Sequence, residues 1–116
     1  MKIYVSIPIT GRPLDDAKAH AQSIAERFAA HGHDVITPFD VCPDSNKPYS
    51  YCMGRDIEAL LGCDAIAIGD EWFKSRGCLL EKAAAEIYGI KIVFESCFSF
   101  MDFSTLVYDY INDWLN

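Results

Sequence analysis

Four short, almost uninterrupted apolar runs alternate with helix-length stretches, and this alternation constrains the chain more than any other feature. The runs occupy residues 2–7, 34–38, 65–69 and 91–94. Each is bounded by turn residues and too continuous in apolar character for a strand wetted on one face, so each reads as a strand buried on both. Between the first two, residues 14–30 carry Ala17, Ala21, Ile24, Ala25 and Phe28 at helical spacing and stop at His31-Gly32. A shorter helix is expected over 53–61, with Ile57, Leu60 and Leu61 on one side and Gly62 closing it.

A third helix is expected over 75–88, with Leu79, Leu80, Ala83, Ala84 and Ile87 as its buried stripe. Lys82 and Glu86 then face outward and Glu81 falls at the boundary. The last, over 104–115, presents Leu106, Val107, Tyr110, Ile111 and Trp114, a broad apolar face expected to meet another subunit of a homo-oligomer. Strands alternating with helices give an α/β fold. A doubly wound parallel sheet of about four strands, flavodoxin-like with order 2-1-3-4 and helices on both faces, is the expected architecture. With 116 residues, 51% of them hydrophobic, residues 1–116 are expected to form a single domain.

A net charge of −7, with only ten scattered Lys and Arg, argues against a nucleic acid polymer as partner but leaves room for a small anion. The N-terminal residues lack the apolar core of a signal peptide, and no apolar stretch is long enough to span a bilayer. A soluble cytoplasmic protein with no membrane partner is expected. The five cysteines, Cys42, Cys52, Cys63, Cys78 and Cys97, show no C-x-x-C spacing and read as reduced, mostly packed thiols. His20, His31 and His33 share no metal-ligand spacing with Cys, Asp or Glu. They read as solvent-facing or capping residues, and no metal is expected. Residues 39–51, rich in Pro, Asp, Ser and Asn, form the one long irregular stretch and read as a lid.

Ligands of open α/β sheets bind beyond the carboxyl ends of the strands, where the winding reverses, here between the first and third strands. The segments arriving there are 6–13, 69–77 and the start of the second helix with Asp56. Ser75 reads as an N-cap, Gly77 allows close approach to the backbone, and the first-turn N–H groups offer an anion site with Glu81 one turn further in. Asp56, placed by this reading in a first helical turn, is either a dipole partner or a cleft residue. Asp64, at the amino end of its strand, reads as a turn or cap. Alternation puts Tyr4 and Ser6 on one face of the first strand, and Thr10, Gly11 and Arg12 form a weak anion-binding set at a helix start. There is no G-x-S-x-G, P-loop or G-x-G-x-x-G, so serine hydrolase, NTPase and dinucleotide readings find no support and no cofactor is expected.

Tyr4 in the first strand, Asp56-x7-Asp64 before the third, and Ser75-x-Gly77-x3-Glu81 opening the next helix resemble the nucleoside 2-deoxyribosyltransferase superfamily. Over residues 2–94 the pattern is similar to the deoxynucleoside 5′-monophosphate N-glycosidases, in a small bacterial branch. The resemblance implies a nucleoside or nucleotide as partner and cleavage of its base–sugar bond, by hydrolysis or by transfer. Glu81 would be the nucleophile at C1′, Asp56 would bind the sugar or assist the leaving base, and Tyr4 would orient Glu81. Ser6, Thr10, Gly11, Arg12, Ser75 and Gly77 would bind substrate, the last five holding a 5′-phosphate. The chain departs from the family at Ile7, where glycine is usual, and Pro8 supplies no N–H. Those departures keep a second reading open, a non-catalytic nucleotide-binding or sensor module; a third is an assembly role for the C-terminal face alone.

Overall fold

The structure, a computed structural model, describes residues 1–44 and 46–108. Its centre is a four-stranded parallel sheet of β1 (Lys2–Ser6), β2 (Asp34–Ile36), β3 (Ala65–Ile68) and β4 (Lys91–Phe94), in the order β2-β1-β3-β4. Register is set on both sides of β1, with Tyr4 opposite Ile36 and Ile66. Asp64 tightens the amino end, its Oδ2 accepting from the Lys2 N–H at 2.7 Å, which makes it a structural staple between β1 and β3.

Alternation along β1 divides the core in two. Ile3, Val5 and Ile7 face α1 (Leu14–Ala29), where Ala17, Ala21, Ile24 and Phe28 are buried as the helical stripe requires. Tyr4 faces the opposite way, with Ile66 and Ile68, toward α3 (Tyr49–Leu61) and α4 (Arg76–Ile87), and packs with Leu60 and Ala85. The parallel order forces the connections across the faces, so the helices cover the sheet on both sides. No helix among the described residues is long and apolar enough to cross a membrane.

The structure corrects four expectations. Residues 104–108 are not helical: Met101–Asp102 (β5) and Val107–Tyr108 (β6) pair antiparallel. The Asp102 carboxylate accepts from the N–H and hydroxyl of Ser104, and Leu106 adopts φ 58°, both turn features that stop a helix. Leu106 is fully buried in the same core cluster as Phe28 and Phe103 of its own chain. The rest of that expected helix, residues 109–116, lies outside the described residues. The lid region is also more ordered than its composition suggests. Pro38–Val41 forms a short helix, α2, under a Thr37–Asp40 capping box, and α3 starts at Tyr49, a full turn earlier than expected.

Cys42 and Cys52 are disulfide-bonded, Cα–Cα 5.5 Å, whereas Cys63, Cys78 and Cys97 are free. Spacing could not disclose this pair, because the nine intervening positions must first be folded back between α2 and α3. Finally, the buried face of α4 is Cys78, Glu81 and Ala85, and Leu79, Leu80 and Ile87 are exposed. Hydrophobicity ranks Glu81 as a surface residue, so the stripe drawn from it is rotated away from the face that packs.

Gly69, the first residue after β3, sits where no side chain fits. A Cβ there would stand 2.8 Å from Ile7 Cγ2 and 3.1 Å from His20 Cε1. Gly69→Ala should lower stability by about 1–3 kcal/mol, read as a shifted urea midpoint, and Ile7→Ala should relieve part of that loss in the double variant. Equal midpoints for wild type and Gly69→Ala would contradict the packing.

Candidate active site

Beyond the carboxyl ends of β1 and β3 lies a cavity of about 730 Å³. Its wall is drawn from the loop after β1 (Ile7, Pro8, Ile9, Thr10, Arg12), from Pro38, from α3 (Tyr49, Met53, Asp56) and from the turn into α4 (Ser75, Arg76, Gly77, Glu81). This is the reversal point of the winding, since β1 leads outward to β2 on one side and is flanked by β3 on the other.

Glu81 reaches the cavity floor from the second turn of α4 and is only 4% exposed. Its Oε1 accepts from the Ser6 hydroxyl at 2.9 Å, across 75 positions of sequence. Its Oε2 has no partner, and neither has Asp56 Oδ1 nor the Tyr4 hydroxyl; all three atoms are buried. Tyr4 and Ser6 are adjacent same-face positions of β1, so the strand presents the two hydroxyls in a row beneath the helices that bring the carboxyls. The Tyr4 hydroxyl stands beside both carboxyls and favours their ionised forms, though it closes a complete hydrogen bond with neither.

Burial raises Glu81 to about 7; the Tyr4 and Ser6 hydroxyls offset part of that rise, and the charge of Asp56 adds to it. Burial likewise raises Asp56 to about 6, with Tyr4 opposing. Burial, then the two carboxylates, pushes the Tyr4 hydroxyl far above its ordinary range, so it stays protonated and can only donate to a carboxylate. The charge of Asp56 bears directly on Glu81, so the two carboxyls titrate as a coupled pair. Asp56 is the eighth residue of α3 rather than a first-turn residue, so the helix dipole does not account for it.

The rim is polar and mixed in charge. Ser75 caps α4 as expected, its Oγ accepting from the Cys78 N–H at 3.2 Å, and Gly77 lines the cavity beside it. A Cβ on Gly77 would come within 3.3 Å of the Tyr49 hydroxyl, so this glycine also makes room for α3. Thr10 and Arg12 line the cavity. Gly11 does not: it serves the loop's turn, at φ 84°, and Ser6 lies beneath Glu81 rather than on the surface a ligand would touch. Among the described residues no group of three or more His, Cys, Asp or Glu is placed to hold a metal ion.

Sequence reasoning passed over Tyr49 and Met53 as site residues, and it gave Lys74 and Arg76 no role although it brought residues 69–77 to the site; all four line the cavity. Only the early start of α3, signalled by Pro48 ahead of it, could have drawn attention to the first two. It also misread His20, which is half-buried, with Nε2 2.8 Å from Glu95 Oε1 and Nδ1 3.1 Å from Arg12 Nη1. His33 too is engaged, Nε2 donating to the Phe103 carbonyl at 2.7 Å.

The raised Glu81 value has a consequence for stability. An acid whose folded-state pKa lies above its unfolded value binds its proton more tightly when folded, so stability falls as pH rises from 4.5 through about 7 and then levels off. Glu81→Gln keeps an acceptor for Ser6 and removes the charge. At pH 8 it should exceed wild type in stability by roughly 3 kcal/mol, with the gap closing toward pH 4.5, in denaturant titrations at fixed pH. Parallel stability curves for the two proteins would show that the carboxylate is not desolvated.

In fold the chain is similar to two solved structures. A 2-deoxyribosyltransferase from the psychrotolerant bacterium Bacillus psychrosaccharolyticus superposes with a TM-score of 0.62 at 20% identity, over 81% of this chain and 71% of that one. A CMP N-glycosidase from Clostridium botulinum superposes with a TM-score of 0.59 at 16% identity, over 81% and 70%. No curated protein sequence matches. Residues 1–94, from the start of β1 to the end of β4 and so including every element that builds the cavity, match a domain of unknown function, DUF4406, and the chain belongs to that family.

Proposed function

We propose that the chain cleaves the base–sugar bond of nucleosides or their 5′-monophosphates, as an N-glycosidase or a deoxyribosyltransferase. The observation that carries this reading is the pair of buried, unpartnered carboxyl oxygens, Asp56 Oδ1 and Glu81 Oε2, on residues that line one cavity, with the unpartnered Tyr4 hydroxyl fully buried behind them rather than on the cavity surface. Buried polar atoms without partners cost free energy unless something that enters the cavity satisfies them. A pair of carboxyls is the equipment that glycosyl transfer requires. The shared fold with a deoxyribosyltransferase and a CMP N-glycosidase supports the same chemistry.

In this reading Glu81 Oε2 attacks C1′ as the C1′–N bond breaks, giving a glycosyl ester through an oxocarbenium-like transition state. The departing base takes the bonding electrons and a proton, the latter from Asp56. Water or a second base, giving up a proton to the Asp56 carboxylate, then attacks C1′ as the C1′–Oε2 bond breaks, which restores the Glu81 carboxylate and the protonated Asp56; the first outcome is hydrolysis and the second transfer. Ser6 holds Oε1 and the Tyr4 hydroxyl stands beside the carboxyl, so Oε2 is the oxygen left free to attack. Ser75, Arg76 and Gly77, at the start of α4, supply a hydroxyl, a cation and the N–H end of a helix for a 5′-phosphate, with Thr10 and Arg12 opposite.

A second reading, a nucleotide-binding module without turnover, is favoured by one observation: Ile7 and Pro8 line the cavity where a glycine and an N–H donor would serve an oxyanion. Incubation with a panel of deoxynucleosides and their monophosphates separates the two. Release of free base by wild type, reduced at least about 1,000-fold in Glu81→Ala, is the expected result. Ligand-dependent stabilisation without product would favour the second reading instead. The active form needs one proton on the pair, held by Asp56 with Glu81 ionised, which is the less populated arrangement because Glu81 is the more strongly raised; kcat/KM should still be bell-shaped in pH with its maximum between about 6 and about 7. A flat profile across that interval would remove the paired-carboxyl mechanism.

A further inference from the structure

Next to the main cavity, and sharing Pro8, Arg12 and Glu71 with it, is a smaller recess that also contains His20, Asp70 and Glu95. Arg12 Nη1 donates to the Pro8 carbonyl at 2.9 Å and stands 3.1 Å from His20 Nδ1. A guanidinium can only donate, so Nδ1 is the acceptor and the proton of this imidazole is on Nε2. That Nε2–H points at Glu95 Oε1, 2.8 Å away, and the same oxygen accepts from the Asp70 N–H at 2.8 Å. One chain of contacts thus joins the loop after β1, the middle of α1, the residue after β4 and the loop after β3.

The order of groups in this chain matters. Arginines in proteins are commonly fixed by a carboxylate, which positions the guanidinium and also neutralises it. Here the carboxylate is one residue removed. Glu95 is occupied by His20 and by a backbone N–H, and Arg12 is fixed by two uncharged acceptors, a carbonyl and an imidazole nitrogen. The guanidinium is held in place at the cavity wall with its charge uncompensated by any bonded partner among the described residues. A cation prepared in this way suits a dianionic group better than a neutral sugar.

We infer that His20, backed by Glu95, is a positioning residue that holds Arg12, its charge uncompensated, toward the phosphate of a nucleoside 5′-monophosphate, and so sets the preference for phosphorylated over unphosphorylated substrate. The inference rests on the nucleoside or nucleotide reading above and adds the residues that select between the two. His20 itself touches no substrate; it acts through Arg12.

A double-mutant cycle on the full chain tests it, with each common deoxynucleoside compared against its 5′-monophosphate. The quantity read is the ratio of kcat/KM for monophosphate to that for nucleoside. Arg12→Ala and His20→Phe, the latter keeping a ring against Gly69, should each lower the ratio about tenfold, and the double variant should lower it no further. His20→Asn, whose amide oxygen can replace Nδ1 as acceptor, should restore most of the ratio. If His20→Phe does not fold, His20→Leu takes its place in the cycle.

Additive losses, or a His20 variant that slows both substrates equally, would overturn the inference in favour of a merely structural histidine. If wild type cleaves neither substrate, the catalytic reading fails by itself. The cycle is then run on calorimetric affinity for the same monophosphates and nucleosides, where wild type must prefer the monophosphate and lose that preference in His20→Phe. Equal affinity of wild type for both would overturn the inference independently.

Discussion

Strand β1 is hydrogen-bonded along both edges, to β2 and β3, and covered on both faces, so every position from Ile3 to Ser6 has an assigned surrounding. Its odd residues supply the apolar contact on which α1 and the C-terminal hairpin pack. Its even residues, Tyr4 and Ser6, are hydroxyl-bearing and lie under α3 and α4. A single strand therefore separates the work of holding the fold together from the work of supporting two carboxyls, and does so by the two-residue period of an extended chain. A one-residue slip in register would exchange the two sets, burying hydroxyls against α1 and turning apolar side chains toward Glu81.

The carboxyls are where the molecule departs from maximal stability. A 4%-exposed glutamate with one unpartnered oxygen, beside a partly buried aspartate, opposes folding at neutral pH. The compensation is spread over the two cores. Phe28, Phe98 and Phe103 interlock at centroid distances of 5.1–5.5 Å, and Arg27 stacks on the latter two. Much of this cluster belongs to the segment after β4, and none of the three rings lines the cavity. The disulfide Cys42–Cys52 ties α2 to the start of α3, and so constrains the segment that carries Tyr49 and Met53 to the cavity wall.

Much of the architecture could be read from sequence because its signals are local. The apolar runs and the stripe Ala17-Ala21-Ile24-Ala25-Phe28 reflect periodicities of 2 and 3.6 residues that a chain carries whatever surrounds it. Ser75 as a cap, and Gly62 and Gly89 near helix ends, are likewise local chemistry. Where a polar residue lay on a packing face, the same reasoning failed: Glu81 displaced the inferred stripe of α4 by its polarity alone. The C-terminal segment failed for the converse reason, since an apolar pattern at helical spacing was overruled by the Asp102 turn and the burial of Leu106.

What the sequence determined by itself is the four strands of the sheet and the three long helices between them, the order 2-1-3-4, and the end of the sheet at which a site would open, since right-handed crossovers leave few alternatives. Tertiary structure alone decided which charges are desolvated and which partners they meet. Ser6 and Glu81 are 75 positions apart, as are His20 and Glu95, and nothing local in either residue marks the other. Hydrogen bonding and desolvation act over a few ångströms of space. Positions distant in sequence acquire such neighbours only when packing of the sheet and helices brings them within reach.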